Sequence, residues 1–378
     1  MNADARSDIR CGLLAAAFAM LAGCGGGSDD TDHGARSEEK VLFVYNWADY
    51  IGQTTIADFE AKTGIKVTYD TYDSNEVLET KLLTGRTGYD VVVPTGNFLE
   101  RLVKAGVFLK LDKSMLPNLS YMDLEIVQRV ADHDPGNEHS INYMWGTTGI
   151  GYNPRMVEKA LGADRIDSWD AVFDPAVAAK LAKCGISMLD SPEDVFDAAR
   201  IYLGRDPNSE KAEDLAAAEE LLKKVRPYVR YFHSSQHVND LASGEICVSL
   251  SWSGLILQAR SRGAAAATPV EVAYVIPKEG TTIWFDLVAI PADAPHPGNA
   301  HAFLNFLMEP EVIADVSNEI GYANGNVASL PFISDALRND PGVYPTEEVR
   351  KSLHRAGLKS QAFSRDQNRA WTRVKTGQ

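Results

Sequence analysis

The stretch VLFVYNWADY, residues 41–50, decides how this chain folds. Its first half, Val41 to Tyr45, is an apolar run that predicts a buried strand. The strand leads directly into two aromatic residues, Trp47 and Tyr50, that flank the carboxylate of Asp49. Aromatic faces attract an ammonium group and a carboxylate neutralises its charge, so this strand end has the composition of a cation cage.

The same combination of aromatic and acidic residues returns far downstream. Trp284-Phe285-Asp286 follows another apolar run, and isolated aromatics stand at Trp252 and Tyr322. Any one of these rings taken alone is more typical of an ordinary core residue than of a binding site. Their repetition beside acids at strand ends favours the binding interpretation.

Strands and helices alternate on either side of this stretch. Alternation of this kind predicts a parallel sheet covered by helices, with ligands at the carboxyl ends of the strands. Trp47, Asp49, Tyr50 and Thr95 all fall at such ends. The predicted elements are strands at 41–46, 66–69 and 89–93, a helix at 54–63 closed by Gly64, and a helix at 73–83 capped by Asp73-Ser74 and ended by Gly85.

A second alternating block begins near residues 147–153, after a glycine-rich segment, 146–151, that is interpreted as a crossing between lobes. Because aromatic and acidic residues occur in both blocks, we expect one cleft between two lobes rather than two separate sites. The block predicts helices at 197–203, 212–225 and 238–242, the last capped by Ser234-Ser235, a strand at 246–251 that delivers Trp252, a strand passage at 278–292, and a mostly helical remainder from His301.

The N-terminus has the pattern of an export signal. Arg6 and Arg10 precede an apolar run, and Leu21-Ala22-Gly23-Cys24 is typical of a lipoprotein cleavage box. We therefore expect residues 1–23 to be a signal peptide, Cys24 to carry the lipid, and residues 24–39 to form a flexible tether. A plain secretory signal or a short membrane anchor are the alternatives, but the apolar run is too short to span a bilayer.

Charge and cysteine content exclude several classes of function. The net charge is −15, and it stays there after residues 1–23 are removed because that segment holds two acids and two bases. Nucleic acid is therefore not an expected partner. Two cysteines remain in the folded part, Cys184 and Cys247, and without a C-x-x-C spacing in an oxidising compartment we expect them to form a disulfide.

The sequence lacks the motifs of common enzyme classes. It has no G-x-S-x-G elbow, no H-E-x-x-H, no Walker A loop and no dinucleotide fingerprint, so no catalytic residue and no cofactor is expected. His233 and His237 lie four residues apart, but with no third ligand nearby a metal site is not favoured. From spacing alone, Ser191 and Pro192 read as the start of a helix whose first turn holds acids.

The chain from about Val41 to Lys375 resembles the substrate-binding proteins of bacterial polyamine ABC importers, the putrescine and spermidine receptors. The resemblance implies two α/β lobes of the type II periplasmic binding protein fold, each a sheet flanked by helices, closing over a linear polyamine. It is carried by residues 45–50, 73–79, 143–145, 147–153, 230–236, 276–280 and 322–324.

The resemblance also implies a domain organisation and a set of site residues. One lobe would comprise residues 40–146 plus 270–324 and the other residues 147–269 plus 325–376. Asp194 falls on a pocket carboxylate of the family, which replaces the helix-cap interpretation of its segment. Cys184 and Cys247 match the family's bridged pair. The remaining residues that match pocket positions are Trp47, Asp49, Tyr50, Thr95, Trp252, Trp284, Asp286 and Tyr322.

Three positions bear on which polyamine is preferred. Ala48 replaces a Ser that is usual in the putrescine receptors, and Leu255 stands where those receptors can carry an Asp. Trp284 resembles the spermidine-preferring members. An aliphatic wall favours a methylene over an amine, and a wide indole suits a longer chain, so we expect spermidine over putrescine.

The expected function is an extracytoplasmic polyamine receptor, not an enzyme. Asp49, Asp194 and Asp286 would be the counter-charges of the amines, while the aromatic residues contact methylenes or cap ammonium groups. The expected partner is an ABC permease in the inner membrane, and the protein would be a periplasmic monomer anchored to the membrane by its lipid. A lipid-anchored polyamine sensor that docks on a signalling receptor is the alternative, and an amine-processing enzyme is disfavoured by the missing nucleophile and metal set.

Overall fold

The computed structural model describes residues 38–377. The expectations for the signal peptide, for lipidation of Cys24 and for most of the tether lie outside these residues. Within the described range, no helix combines the length and the apolar character that a membrane crossing requires.

The described chain forms strands and helices that alternate over most of its length. The strands are β1 (Val41–Trp47), β2 (Lys66–Tyr72), β3 (Val91–Val92), β4 (Ser140–Tyr152), β5 (Ile186–Met188), β6 (Val229–Phe232), β7 (Val248–Trp252), β8 (Ala273–Val275), β9 (Thr281–Ala289) and β10 (Leu353–Arg355). The helices are α1 (Thr55–Thr63), α2 (Asn75–Thr84), α3 (Gly96–Lys104), α4 (Leu124–Val130), α5 (Pro154–Leu161), α6 (Asp170–Phe173), α7 (Pro175–Leu181), α8 (Pro192–Tyr202), α9 (Ala212–Val225), α10 (His237–Ser243), α11 (Ser253–Ala265), α12 (Pro297–Leu307), α13 (Pro310–Ile320), α14 (Asp335–Arg338), α15 (Glu347–Arg350) and α16 (Gln361–Thr376).

Several helix ends follow the local signals in the sequence. Helix α1 ends at Gly64, whose φ of 70° lies in the left-handed region that glycine adopts without strain. The hydroxyl of Ser74 caps α2 by accepting a hydrogen bond from the backbone N–H of Val77 at 3.3 Å. Helix α9 has the predicted bounds, 212–225. These signals act within a few residues, so the sequence alone identifies them.

The predicted serine cap of α10 is wrong. Gln236 occupies the N-cap position and makes no side-chain cap. The imidazole of His233 replaces the expected hydroxyl, because its Nδ1 accepts hydrogen bonds from the backbone N–H groups of Ser235 and Gln236, each at 3.1 Å. The imidazole nitrogen of His233 thus satisfies backbone N–H groups before the first turn of α10, where a serine cap is expected from the sequence.

The sheet is mixed rather than parallel, which corrects the expectation drawn from alternation. Strands β2, β1 and β3 are parallel to one another, and so are β6, β5 and β7. Strand β9 runs antiparallel to β3 and β4, and β4 runs antiparallel to β7, so these two strands connect the parallel groups. The short strand β10 pairs with β9 in parallel. Alternation predicts crossover connections but not the two long strands that return in the opposite direction.

Strand β4 is the element that joins the two halves of the molecule. Its first part, through Thr147, pairs with β9, which borders the first parallel group, and from Thr148 onward it pairs with β7 of the second. All 13 residues of the strand are buried. The glycine-rich segment 146–151, interpreted from the sequence as a crossing between lobes, lies within this strand.

Three pairings bear on the predicted domain boundaries. Strand β8 pairs with residues 150–152 of β4, so it lies on the second half although the range 270–324 assigned it to the first. Asn326 forms a bridge with Met122 of the first half, although the range 325–376 assigned it to the second. Strand β10 likewise pairs with β9, although its residues fall in the range assigned to the second half. The domain boundaries themselves stay a prediction.

A disulfide joins Cys184 and Cys247, as the sequence predicts. Their Cα atoms are 5.5 Å apart and they are separated by 63 positions in the chain. Cys247 is fully buried in the apolar core of the second half, and Cys184 packs against that core. The bond therefore ties the end of α7 to the residue that precedes β7.

Replacing Cys184 and Cys247 together with Ser should lower the free energy of unfolding by about 2–4 kcal/mol, because the unfolded chain loses a long closed loop. Urea unfolding with and without a reductant measures this change. The reductant should destabilise the natural protein and leave the double variant unaffected. Equal stability of the two proteins under oxidising conditions would contradict the prediction.

Candidate functional site

A cavity of about 750 Å³ lies between the two halves of the sheet. Its size is in the range of pockets that hold small molecules. It is lined by residues from loops at strand ends, from β9 and from the first turns of α3, α8 and α11. All eleven residues singled out from the sequence line it: Trp47, Ala48, Asp49, Tyr50, Thr95, Asp194, Trp252, Leu255, Trp284, Asp286 and Tyr322.

The carboxylate of Asp286, on β9, lies at the buried centre of this arrangement. The residue is 6% exposed. The hydroxyl of Thr95 donates to its Oδ1 at 2.7 Å, and the hydroxyl of Tyr50 donates to its Oδ2 at 2.8 Å. Burial raises the pKa of Asp286 to about 6, helped by the charge of Asp194 and opposed by the two hydroxyls. Within residues 38–377 no Lys, Arg or His forms an ion pair with it.

Asp194 presents a second carboxylate from the first turn of α8. The hydroxyl of Thr148 donates to its Oδ1 at 2.7 Å, and the hydroxyl of Ser191 donates to its Oδ2 at 2.6 Å. Burial raises the pKa of this carboxyl, and the two hydroxyls oppose that rise. Ser191 is also the N-cap of α8, with Pro192 at the first helical position. The cap interpretation of this segment is confirmed, and Asp194 also lines the cavity, while its role in ligand binding stays a prediction.

Three aromatic rings form a continuous wall beside Asp286. The ring of Tyr322 meets that of Tyr50 edge-on at 5.4 Å between centroids, and it meets the ring of Trp284 at the same distance. These are the offset and edge-on geometries that aromatic pairs prefer. The wall therefore combines apolar faces with one deeply placed negative charge.

Two glycines allow this wall to approach the strand that joins the halves. A Cβ atom at Gly146 would lie 2.6 Å from Cζ2 of Trp284. A Cβ at Gly254, in the first turn of α11, would collide with the ring of Tyr322. Any larger residue at either position would displace a ring of the wall, so glycine is required there by close contact rather than by backbone conformation.

The segment 47–50 contributes a more exposed part of the lining. The indole Nε1 of Trp47 donates to the carbonyl oxygen of Val93 at 2.9 Å, and its ring packs on Tyr72 at 4.8 Å. Ala48 and Asp49 are exposed, and Asp49 has a φ of 53° in the turn that follows β1. Asp49 thus lies at the edge of the cavity and is more exposed than the half-buried Asp194 and the buried Asp286.

The remaining predicted residues come from β7 and α11. Trp252 ends β7 and is half-buried, and it packs against the apolar cores of both halves. Leu255 follows in the first turn of α11 and is also half-buried. Together they give the second half an apolar surface opposite the aromatic wall.

Sequence reasoning missed Glu193 and Asn97, which also line the cavity. Glu193 precedes Asp194 in α8, and Asn97 lies in the first turn of α3. The amide Nδ2 of Asn97 donates to Oε2 of Glu193 at 2.8 Å. Burial raises the pKa of Glu193 to about 7. The signal in the sequence was the run of acids at 193–194, which was interpreted as favouring the helix dipole.

One lysine that lines the cavity is already neutralised. The ammonium group of Lys359 lies 2.9 Å from both carboxylate oxygens of Asp197, which also accepts from Arg200. Lys359 and Asp197 are both buried. This cation is thus held by its own acid, and the carboxylates of Asp286 and Asp194 are left to interact with a ligand.

The two histidines considered as metal ligands are engaged by the protein itself. Nε2 of His237 lies 2.6 Å from the hydroxyl of Ser251, and its Nδ1 lies 3.1 Å from the carbonyl oxygen of His233. Over the described part of the chain, no three or more His, Cys, Asp or Glu side chains are grouped as a metal site would require. The chemistry that the cavity supports is binding of an organic cation with apolar segments.

Comparisons with known proteins agree with this geometry. Residues 54–345 match the family described as bacterial extracellular solute-binding proteins. The putrescine-binding periplasmic protein SpuD of Pseudomonas aeruginosa is 52% identical over 342 residues, 90% of this chain and 93% of that protein. The putrescine-binding periplasmic protein PotF of Escherichia coli is 50% identical over 343 residues, 90% of this chain and 93% of that protein.

A solved structure extends the likeness to the fold. The spermidine/putrescine ABC transporter substrate-binding protein PotD of Streptococcus pneumoniae superposes with a TM-score of 0.75 at 26% identity, covering 90% of this chain and 99% of that chain. The lobed α/β architecture, the helix-flanked mixed sheet and the cavity at the strand ends are accounted for by common descent. The chain belongs to the bacterial extracellular solute-binding proteins.

Proposed function

We propose that this protein is an extracytoplasmic receptor that binds a linear polyamine and delivers it to an ABC import permease. The observation that carries the proposal is a pair of carboxylates, the buried Asp286 and the half-buried Asp194, held by hydroxyl groups beside an aromatic wall and not paired with cations of the described chain. The relatives named putrescine-binding proteins support the choice of ligand class. A transport receptor rather than an enzyme follows from the same relatives.

The energetics of the site favour a multiply charged ligand. Raising the carboxyl pKa of Asp286 from 3.8 to about 6 means that its ionisation in the unliganded fold costs about 3 kcal/mol. An ammonium group placed beside this carboxylate recovers that cost and is itself neutralised. Micromolar binding corresponds to about −8 kcal/mol, which two or three such pairs with aromatic contacts can supply after ordering costs.

The methylene segments of the ligand would lie on the aromatic residues. Trp47, Trp252, Trp284, Tyr50 and Tyr322 present ring faces and edges in the same cavity. Each cation–π contact contributes about 0.5–2 kcal/mol, depending on how far it is desolvated. Alternating charged and apolar surfaces would thus match the alternating amines and methylenes of a polyamine.

We further propose that spermidine is preferred over putrescine. Leu255 gives an aliphatic surface, and Trp284 extends the aromatic wall next to Tyr322. Both features suit a longer chain, while Ala48 offers no hydroxyl to an amine. A thermal-shift panel of putrescine, cadaverine, spermidine, spermine and agmatine tests the ligand class and the preference together. The absence of a shift with every polyamine would refute the proposed function.

The cellular setting that fits this function is the periplasmic face of a membrane. We propose that Cys24 is lipidated and that residues 24–39 tether a monomer to the membrane, close to the permease. The supporting feature is the segment LAGC at 21–24, in which small residues precede the cysteine. Labelling with radioactive palmitate in the source bacterium, with Cys24→Ser as control, tests the lipid anchor.

Asp286→Ala and Trp252→Ala should each weaken polyamine binding by at least about 1 kcal/mol, or about fivefold in Kd. The first removes a buried counter-charge, and the second removes an aromatic surface opposite the wall. Isothermal titration calorimetry measures both changes. Unchanged affinity in both variants would refute the assignment of the site.

Affinity for a diamine should decrease as the pH falls below about 6, because protonation of Asp286 removes its charge. The ligand amines stay protonated over this range, since an alkylammonium group has a pKa near 10. Between pH 8 and pH 5 we expect a loss of about tenfold or more from Asp286 alone. The sign is opposite for the stability of the unliganded protein, which should decline as the pH rises from about 4 to about 6, between the ordinary pKa of the carboxyl and its raised value, and should stay level with respect to Asp286 above that. Constant affinity from pH 8 to pH 5 would contradict the role of Asp286.

A further inference from the structure

The contact between Glu193 and Asn97 connects the two walls of the cavity. Glu193 extends from the first turn of α8, and Asn97 extends from the first turn of α3. Nδ2 of Asn97 donates to Oε2 of Glu193 at 2.8 Å, and both residues line the same cavity as Asp194. The contact is therefore part of the ligand cavity and not a surface interaction elsewhere.

The carbonyl oxygen of Asn97 is left without a donor. The residue is 5% exposed, and its Oδ1 is buried with no hydrogen-bond partner among the residues that the structure describes. A buried acceptor without a donor costs about 1–3 kcal/mol. The amide uses its N–H toward Glu193, and its oxygen has no donor among the described residues.

The carboxylate of Glu193 likewise has no cation of its own in residues 38–377. The charged groups around it are the acids Asp194, Asp197 and Glu76 and one cation, Lys359. Lys359 is bound to both oxygens of Asp197. Burial and the neighbouring acids raise the pKa of Glu193 to about 7, which is the response of a carboxylate that lacks a counter-charge.

A carboxylate and an unpartnered carbonyl oxygen together accept hydrogen bonds from a cationic donor. We propose that Glu193 and Asn97 form a third ammonium subsite that takes the additional nitrogen of a triamine, next to the two acids that bind a diamine. This inference rests on the proposed polyamine function. It differs from the sequence-based assignment, in which the exposed Asp49 was the third counter-charge.

The three acids line one cavity, so a single ligand can contact all of them. The charge of Asp194 contributes to the raised pKa of Asp286 and to that of Glu193. Asp194 thus lies within electrostatic reach of both. A linear triamine has its charges separated by three or four methylene groups, so successive carboxylates along one cavity match successive amines.

Glu193→Gln tests this subsite because it removes the charge and keeps the shape. The Gln oxygen still accepts the hydrogen bond from Asn97, so the connection between the walls is retained. We expect Kd for spermidine to rise about tenfold or more, and Kd for putrescine to change less than about threefold. Glu220→Gln is the matched control, since Glu220 is 69% exposed on α9 outside the cavity, and it should change neither value.

The putrescine measurement separates the possible results. Retained putrescine binding shows that Glu193→Gln is folded, so a selective loss of spermidine affinity supports the subsite. An equal loss of affinity for both ligands, or an unchanged affinity for spermidine, would overturn the proposed subsite. If the natural protein binds neither ligand, the proposed function itself fails, and that result is distinct from either of these.

A second readout follows from proton release at pH 7. An ammonium group beside Glu193 would lower the pKa of that carboxyl, so the natural protein should release more protons on binding spermidine than on binding putrescine. Calorimetry in buffers with different ionisation enthalpies measures the difference. This difference in proton release between spermidine and putrescine should disappear in Glu193→Gln and persist in Glu220→Gln. The same difference in both variants would overturn the proposal.

Discussion

The binding cavity depends on a carboxylate that is buried without a cation. Asp286 keeps its charge because the hydroxyls of Tyr50 and Thr95 bind its two oxygens. Hydroxyl groups solvate the charge without neutralising it, so the attraction for an external cation remains. A cation of the protein itself in place of either hydroxyl would neutralise that charge and compete with the ligand. The aromatic wall then prevents water from taking over the same role.

The second constraint is the strand that belongs to both halves. Strand β4 changes its pairing partner between Thr147 and Thr148, and Thr148 is the residue whose hydroxyl binds Asp194. Gly146, two residues earlier, contacts the ring of Trp284. The acid of one half and the aromatic wall of the other are thus positioned by neighbouring residues of a single strand. The dimensions of the cavity are therefore fixed at the point where the two halves meet.

The sequence predicts the fold class and most of the cavity lining, because these depend on short-range signals and on long motifs shared with a family. It predicts α9 and the caps of α1 and α2 for the same reason. It does not predict the antiparallel direction of β4 and β9, since hydrophobic periodicity contains no information about strand direction. The sequence also does not distinguish the short strand β8 from a loop.

Glu193 illustrates why the sequence alone does not identify every residue of the candidate site. The acids in the first turn of α8 satisfy a local rule about the helix dipole, and that rule gave an adequate explanation without any ligand. Only the position of Asn97, nearly a hundred residues earlier in the chain, distinguishes Glu193 from an ordinary acid. His233 shows the same limit on a smaller scale, since it accepts the hydrogen bonds that two serines were expected to accept.

The ion pair between Lys359 and Asp197 also has a kinetic consequence. Its members are 162 positions apart, and both are buried against the helix that supplies Asp194. Contacts between such distant residues form late in folding, because the entropy of closing a long loop must be overcome first. Until they form, Asp197 of α8 is paired only with Arg200, three residues later on the same helix. The protein can therefore bind a ligand only at the end of the folding reaction, when its tertiary structure is complete.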